Sequence, residues 1–179
     1  MNTYTRDAFI YKDLLESSTN SIKEDFDNVY GGISNLQIIK SPKQDKGSIA
    51  EWVGSFAYFA KRTPQWDTYC NTKSKFLKQL VNNIPKEHLQ GIWFSAILPG
   101  GIIQWHTDKY DNNSNHIRVH LPLIVPEGDL GITVDKTTYQ WKTGEVFCFD
   151  PFVVHTAWNR SNGIRLNANF NFAREAFIC

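Results

Sequence analysis

The hydrophobic positions change their period part-way along the chain. Up to about residue 90 they recur at helical spacing between loops. In TRDAFIYKDLLESSTNSIKEDF, Phe9, Leu14 and Leu15 stand among charges at roughly helical intervals. SIAEWVGSFAYFAKRTP, residues 48–64, reads as a second helix stopped by Pro64. TKSKFLKQLVNNIP, residues 72–85, is the clearest: Phe76, Leu77, Leu80 and Val81 form an i, i+1, i+4, i+5 stripe, and Pro85 ends it. SPKQDKGS, residues 41–48, reads as a loop. Ordinary amphipathicity makes these stripes core-facing helix surfaces rather than binding surfaces.

From residue 91 the period shortens. GIWFSAIL, GIIQWHT, HIRVHLPLIV, LGITVD, TTYQW, VFCFD, PFVVHTAW and IRLNANFNF are short β-rich runs. Gly, Pro, Asn and Asp turns separate them, with a tight turn expected at Asp135 and Lys136. Such spacing predicts a β-sandwich or barrel, not alternating βα units. The predicted fold class is therefore mainly β with supporting helices packed on the outside. No internal repeat or low-complexity tract is visible. One domain over 1–179 is expected, with a helical support region at 1–90 and a β core at 91–172.

Composition narrows the function. A length of 179 residues with 41% hydrophobic content suffices for a real core. The net charge of +1 argues against nucleic acid or an anionic membrane as partner. The N-terminal stretch lacks a basic region followed by an apolar one, and no apolar run approaches a membrane span. Cys70, Cys148 and Cys179 are far apart and odd in number, so reduced thiols in a cytoplasmic setting are expected.

The polar residues of the β half carry the candidate chemistry. His106 and Asp108 are two apart, so on one strand end they share a face. His155, inside PFVVHTAW, is surrounded by apolar neighbours. Alone it reads as a hydrogen-bonded core histidine. Together, two imidazoles and a carboxylate are the donor set of a facial non-haem iron site, with open positions for substrate and oxygen. In IRLNANF, Arg165, Asn167 and Asn169 alternate with Leu166, Ala168 and Phe170, so one strand face is polar. A guanidinium inside a barrel needs an anionic partner, and a carboxylate suits it bidentately. Arg118 and His120 make a second same-face polar pair, which a solvated edge strand would also explain.

The run SAILPGGIIQWHTD, IRVHLPLIVPEG and YQWKTGEVFCFDPFVVHTAWNRSNGIRLNANF resembles the aspartyl/asparaginyl β-hydroxylase family of Fe(II)- and 2-oxoglutarate-dependent dioxygenases. The linked motifs are Pro-Gly-Gly before the first ligand, R-x-H-L-P-L, W-x-x-G-E, F-D before the second histidine and N-x-S-x-x-x-R after it. The resemblance covers about 91–172 and implies a double-stranded β-helix, a cupin-like jelly roll. It implies His106, Asp108 and His155 as iron ligands, Arg165 and Ser95 on the distal carboxylate of 2-oxoglutarate, and Arg118 with His120 near its other carboxylate. An ordinary strand serine remains the alternative for Ser95. Animal aspartyl hydroxylases lack a carboxylate where this chain has Asp108. The implied reaction consumes O2 and 2-oxoglutarate, releases succinate and CO2, and hydroxylates an unactivated C–H; the retained Asp108 argues against halogenation.

The resemblance implies an amino acid, a peptide or another small molecule as prime substrate, and the oligomeric state is open. Trp105, Lys109, Tyr110, the loop 111–115, Trp158 and Arg160 are candidates for shaping its pocket, although such residues equally suit plain surface. Two other readings stay open: a cupin-type metalloenzyme that does not use 2-oxoglutarate, and a non-catalytic jelly-roll binding module.

Overall fold

The computed structural model describes residues 4–38, 52–59, 74–108 and 116–178. The elements run α1 (Lys12–Ser17), α2 (Thr19–Asn28), β1 (Gln37–Ile38), β2 (Trp52–Phe59), α3 (Lys75–Asn82), β3 (Leu89–Ile97) and β4 (Ile102–His106). They continue with β5 (His116–Ile124), β6 (Leu130–Val134), β7 (Thr137–Tyr139), β8 (Phe147–Phe149), β9 (His155–Asn159) and β10 (Arg165–Ala173). Two antiparallel sheets form, ordered β1-β2-β3-β10-β5-β8 and β4-β9-β6-β7. This is the double-stranded β-helix, or jelly roll, expected of the β half.

The larger sheet is apolar on its outer face. Ile92, Phe94 and Ala96 of β3, Ile117, Val119 and Leu121 of β5, and Leu166, Ala168 and Phe170 of β10 share one core with Leu15, Ile22, Phe26, Leu77 and Leu80 of the helices. Burying each large side chain contributes about 1.5–3 kcal/mol. A second core, made of Ile97, Leu130, Ile132, Val134, Trp141, Phe149 and Ala157, joins the two sheets. Because strand side chains alternate, the residues between those of the outer core face this inner layer.

The helices follow local chemistry. Ser74 caps α3 by accepting from the Leu77 amide at 2.9 Å, and its hydroxyl bonds Asp25 of α2. The expected stripe is present: Leu77 and Leu80 are buried, with Phe76 and Val81 packed beside them. The first helix is broken at Ser18, whose hydroxyl turns back to the Leu14 carbonyl at 2.6 Å.

One expectation is corrected. Residues 52–59, inside the stretch read as a helix at 48–64, form strand β2. Trp52, Val53, Phe56, Tyr58 and Phe59 are aromatic or β-branched, which favours a pleated surface. The free edge of β3 supplies the partner, from Trp52↔Ile97 to Phe59↔Gly91. Non-local pairing overrides the helical period here, so the first 90 residues extend the larger sheet as well as buttressing it. The remainder of 48–64 and the loop at 41–48 lie outside the described residues. The turn at Asp135 and Lys136 joins Val134 to its partner Thr137, with Asp135 at φ 53°. No helix among the described residues is long and apolar enough to cross a membrane.

The corner between β9 and β10 is held by a fully buried side chain. Asn159 Nδ2 donates to the Ile97 and Gly163 carbonyls, both at 2.8 Å. Its Oδ1 accepts from the Ser161 amide at 3.1 Å and the Ser161 hydroxyl at 2.6 Å. These bonds set where β10 begins, and thus where Arg165 stands. Asn159→Ala strands those partners inside the protein. We expect it to destabilise the fold by about 2–4 kcal/mol, read as a lower midpoint in urea unfolding with an unchanged slope.

Candidate active site

The site begins with an irregularity in β4. Ile103 pairs with Ala157 and His106 with His155, so three steps on β4 match two on β9. The extra residue is a bulge, and it brings His106 back onto the inner face beside His155. Without it, the odd spacing would send His106 outward. Trp105 in the bulge is 55% exposed.

The two imidazoles are prepared as ligands. His106 Nδ1 lies 2.6 Å from the Gln104 carbonyl, and His155 Nδ1 lies 2.8 Å from the Val153 carbonyl. A carbonyl only accepts, so each Nδ1 carries the proton and each Nε2 keeps its lone pair. The ring centroids are 4.2 Å apart. Asp108 Oδ1 lies 3.6 Å from His106 Nε2, and one ligand atom from each of His106, Asp108 and His155 falls within 4.8 Å of the others. The Asp108 amide donates to the Pro151 carbonyl at 2.9 Å, tying the end of β4 to the approach to β9. Burial, then the neighbouring His106, pushes the His155 pKa down to about 4. Two imidazole lone pairs and a carboxylate oxygen converging on one point suit a divalent cation. Two nitrogens and one oxygen on one side, with the rest open, are the pattern of non-haem Fe(II) sites.

Facing this cluster is the polar inner face of β10 and its neighbours. Arg165 is 2% exposed, and its guanidinium lies 4.5 Å from the centre of the Trp141 ring. With the Asn167 amide oxygen turned toward it, Arg165 Nη1 donates at 2.8 Å. Its Nε finds no acceptor among the described residues, and no described carboxylate pairs with it. Burial pushes its pKa down to about 9. Asn169 Nδ2 donates to Ser95 Oγ at 2.8 Å, which leaves the Ser95 hydroxyl hydrogen for another acceptor. His120 packs by its ring on Phe149 at 5.1 Å and Trp141 at 6.1 Å. Burial, followed by the charges of Arg165, Arg118 and His155, holds it neutral, well below the usual histidine range. His155 in turn meets Phe149 at 5.0 Å, so a continuous run of rings links the triad to Arg165.

Arg118 is placed differently. Its Nη2 donates to Asp108 Oδ2 at 2.9 Å and its Nε to Asn171 Oδ1 at 2.8 Å, with Trp93 stacked at 4.4 Å. Trp158 and Arg160 stay away from the cluster. Trp158 is an odd number of positions from His155 and so lies on the outer face of β9. There its Nε1 and Arg160 Nη1 both donate to Asp129, at 2.7 and 3.0 Å. Lys109, Tyr110 and 111–115 lie outside the described residues.

Several contributing residues carried no role in the sequence reading. Trp141 belonged to the W-x-x-G-E motif without one. Asn171 continues the alternation of Arg165, Asn167 and Asn169 by one more step, and Trp93 shares the face of Ser95 two positions on. Asn159 and Ser161 were visible only as spacing in N-x-S-x-x-x-R.

A family model described as aspartyl/asparaginyl beta-hydroxylase matches residues 16–175. The chain belongs to the aspartyl/asparaginyl β-hydroxylase family. The match starts in α1 and so takes in the supporting half as well as the jelly roll. Aspartate beta-hydroxylase domain-containing protein 2 of Xenopus tropicalis is 26% identical over 164 residues, 90% of this chain and 43% of that protein. The Mus musculus protein of that name is 25% identical over 162 residues, 89% of this chain and 46% of that one. The chain thus spans less than half the length of these relatives. Among solved structures, a Pseudomonas putida prolyl-4-hydroxylase superposes with a TM-score of 0.53 over 96% of this chain and 90% of that one, at 14% identity. At that identity the likeness is one of fold.

The lowered His155 pKa has a measurable consequence in metal-free protein. The unfolded chain takes up this proton near pH 6.5, whereas the folded one resists until about 4. Stability therefore falls as pH drops through that window, by at most about 3 kcal/mol from this group. Urea unfolding at stepped pH should show the slope, and His155→Gln should reduce it, with buried His120 supplying part of what remains.

Proposed function

We propose that this family member is an Fe(II)- and 2-oxoglutarate-dependent dioxygenase that hydroxylates an unactivated C–H of an amino acid, a peptide or another small molecule. The observation that carries this reading is a buried arginine with no anionic partner among the described residues, across one interior from two imidazoles and a carboxylate poised as ligands. A metalloenzyme that did not take an anionic cosubstrate would leave Arg165 with an uncompensated burial penalty.

His106, Asp108 and His155 would hold the iron. Arg165, with the Ser95 hydroxyl donated toward the same space, would hold the distal carboxylate of 2-oxoglutarate. When bound, iron, 2-oxoglutarate and O2 together supply the oxidising chemistry, with succinate and CO2 as coproducts. The protein's own contribution is positional. The Gln104 and Val153 carbonyls keep an imidazole proton on each Nδ1, so both Nε2 lone pairs would be left for the metal. Trp141 covers one face of Arg165, and the rings of Phe149 and His120 line the way to the triad, so they would shield a bound cosubstrate from water. Neutral His120 adds no charge of its own to the space between Arg165 and the triad. Exposed Trp105, beside His106, is the described residue best placed to meet the prime substrate.

Purified protein given Fe(II) and 2-oxoglutarate should form succinate slowly even without a prime substrate. Arg165→Ala should weaken 2-oxoglutarate binding roughly 100-fold, in line with the about 2–5 kcal/mol lost when one partner of a buried charge pair is removed. Calorimetry and succinate release check both. Unaltered affinity in that variant would overturn the role of Arg165, and no binding or turnover by the wild type would overturn the assignment.

A further inference from the structure

Arg118 occupies an unusual position for a residue expected near the cosubstrate. It stands on β5 in the larger sheet, whereas Asp108 follows β4 in the smaller one. Their ion pair, at 2.9 Å, is a strut between the two sheets beside the ligand cluster. Three strands fix the guanidinium. β5 carries it, Asn171 of β10 sits directly opposite in register and accepts its Nε at 2.8 Å, and Trp93 of β3 lies under it at 4.4 Å. The side chain is only 15% exposed, so little freedom is left to swing it elsewhere.

The two oxygens of Asp108 are thereby divided. Oδ2 accepts from Arg118, and Oδ1 is the oxygen nearer His106 Nε2. A carboxylate that turned both oxygens toward a metal would take two coordination positions. One that gives a single oxygen leaves three open beside the two imidazoles, enough for a chelating 2-oxo acid and O2. A fixed outer partner that orients a ligating carboxylate is a recurring feature of metal sites. We propose that Arg118 serves Asp108 and not the cosubstrate: it is a positioning residue that occupies one carboxylate oxygen and presents the other to the metal, with Asn171 and Trp93 holding it in place. The inference rests on the metal site proposed above, and it leaves Arg165 as the interior guanidinium that receives a carboxylate.

Removing Arg118 has two opposed effects. The loss of its positive charge favours a cation nearby, and the loss of orientation disfavours it. Asn171→Ala separates them, because it keeps the charge and removes only the Nε anchor. Co(II) binding is measured by calorimetry and by the visible absorption of the bound ion, without 2-oxoglutarate, for wild type, Arg118→Gln, Asn171→Ala and Arg165→Ala. The affinity of each Co(II)-saturated protein for 2-oxoglutarate is then measured separately. Arg118→Gln should weaken Co(II) binding about tenfold or more and change its spectrum, as loss of an outer partner typically does. Asn171→Ala should shift both in the same direction by a smaller amount. Neither should alter 2-oxoglutarate affinity more than about threefold, whereas Arg165→Ala should do the reverse. If Arg118→Gln fails to fold, Asn171→Ala decides alone. Wild-type Co(II) affinity and spectrum in Asn171→Ala, or a tenfold loss of 2-oxoglutarate affinity in either variant, would overturn this proposal alone. Absence of Co(II) binding by the wild type would overturn the metal site and this inference with it.

Discussion

A guanidinium buried between two sheets, with no carboxylate beside it among the described residues, is the constraint around which this chain is arranged. Taking Arg165 out of water lowers its pKa from 12.5 to about 9, a penalty on the order of 5 kcal/mol that the fold must carry. Trp141 stacked on one face and the Asn167 amide reduce that cost without removing it. An incoming carboxylate would offset it, so the energy spent in folding becomes binding energy for an anion. The Asn159 network, which sets the first residue of β10, exists on this view to keep that charge in one place.

The opposite wall solves a complementary problem. His106, Asp108 and His155 bring two lone pairs and a carboxylate oxygen to one point, which is unfavourable without a cation between them. The bulge in β4, the two carbonyls that hold the Nδ1 protons and the strut from Arg118 to Asp108 all keep that arrangement from relaxing. An apolar run of Phe149, His120 and Trp141 separates this wall from Arg165. Positive charge at one end and cation-binding donors at the other suit the two ends of the 2-oxo diacid proposed as cosubstrate.

Much of this was legible from residue patterns, for identifiable reasons. The inner face of β10 could be read because its alternation is strict and Arg is conspicuous among Leu, Ala and Phe. The ends of β3 to β10 were marked by Gly, Pro and Asn. Strand β2 is hidden in the sequence, since WVGSFAYF has a helical as well as a strand reading and only the free edge of β3 decides between them. The partner of Arg118 was equally hidden. Sequence places Arg118 on an inward face, but its contact with Asp108 bridges two sheets that only folding brings together. The outer placement of Trp158 follows from parity along β9, three positions after His155.

The most direct test compares two 2-oxo acids on the metal-loaded protein: 2-oxoglutarate, and 2-oxopentanoate, which has the same carbon chain without the distal carboxylate. Both can chelate the metal, so the difference between them isolates what the buried Arg165 contributes. Calorimetry should find 2-oxopentanoate weaker by about 100-fold, because binding it would leave the guanidinium uncompensated. Equal affinities would contradict the account, since the arginine would then have no anion to wait for.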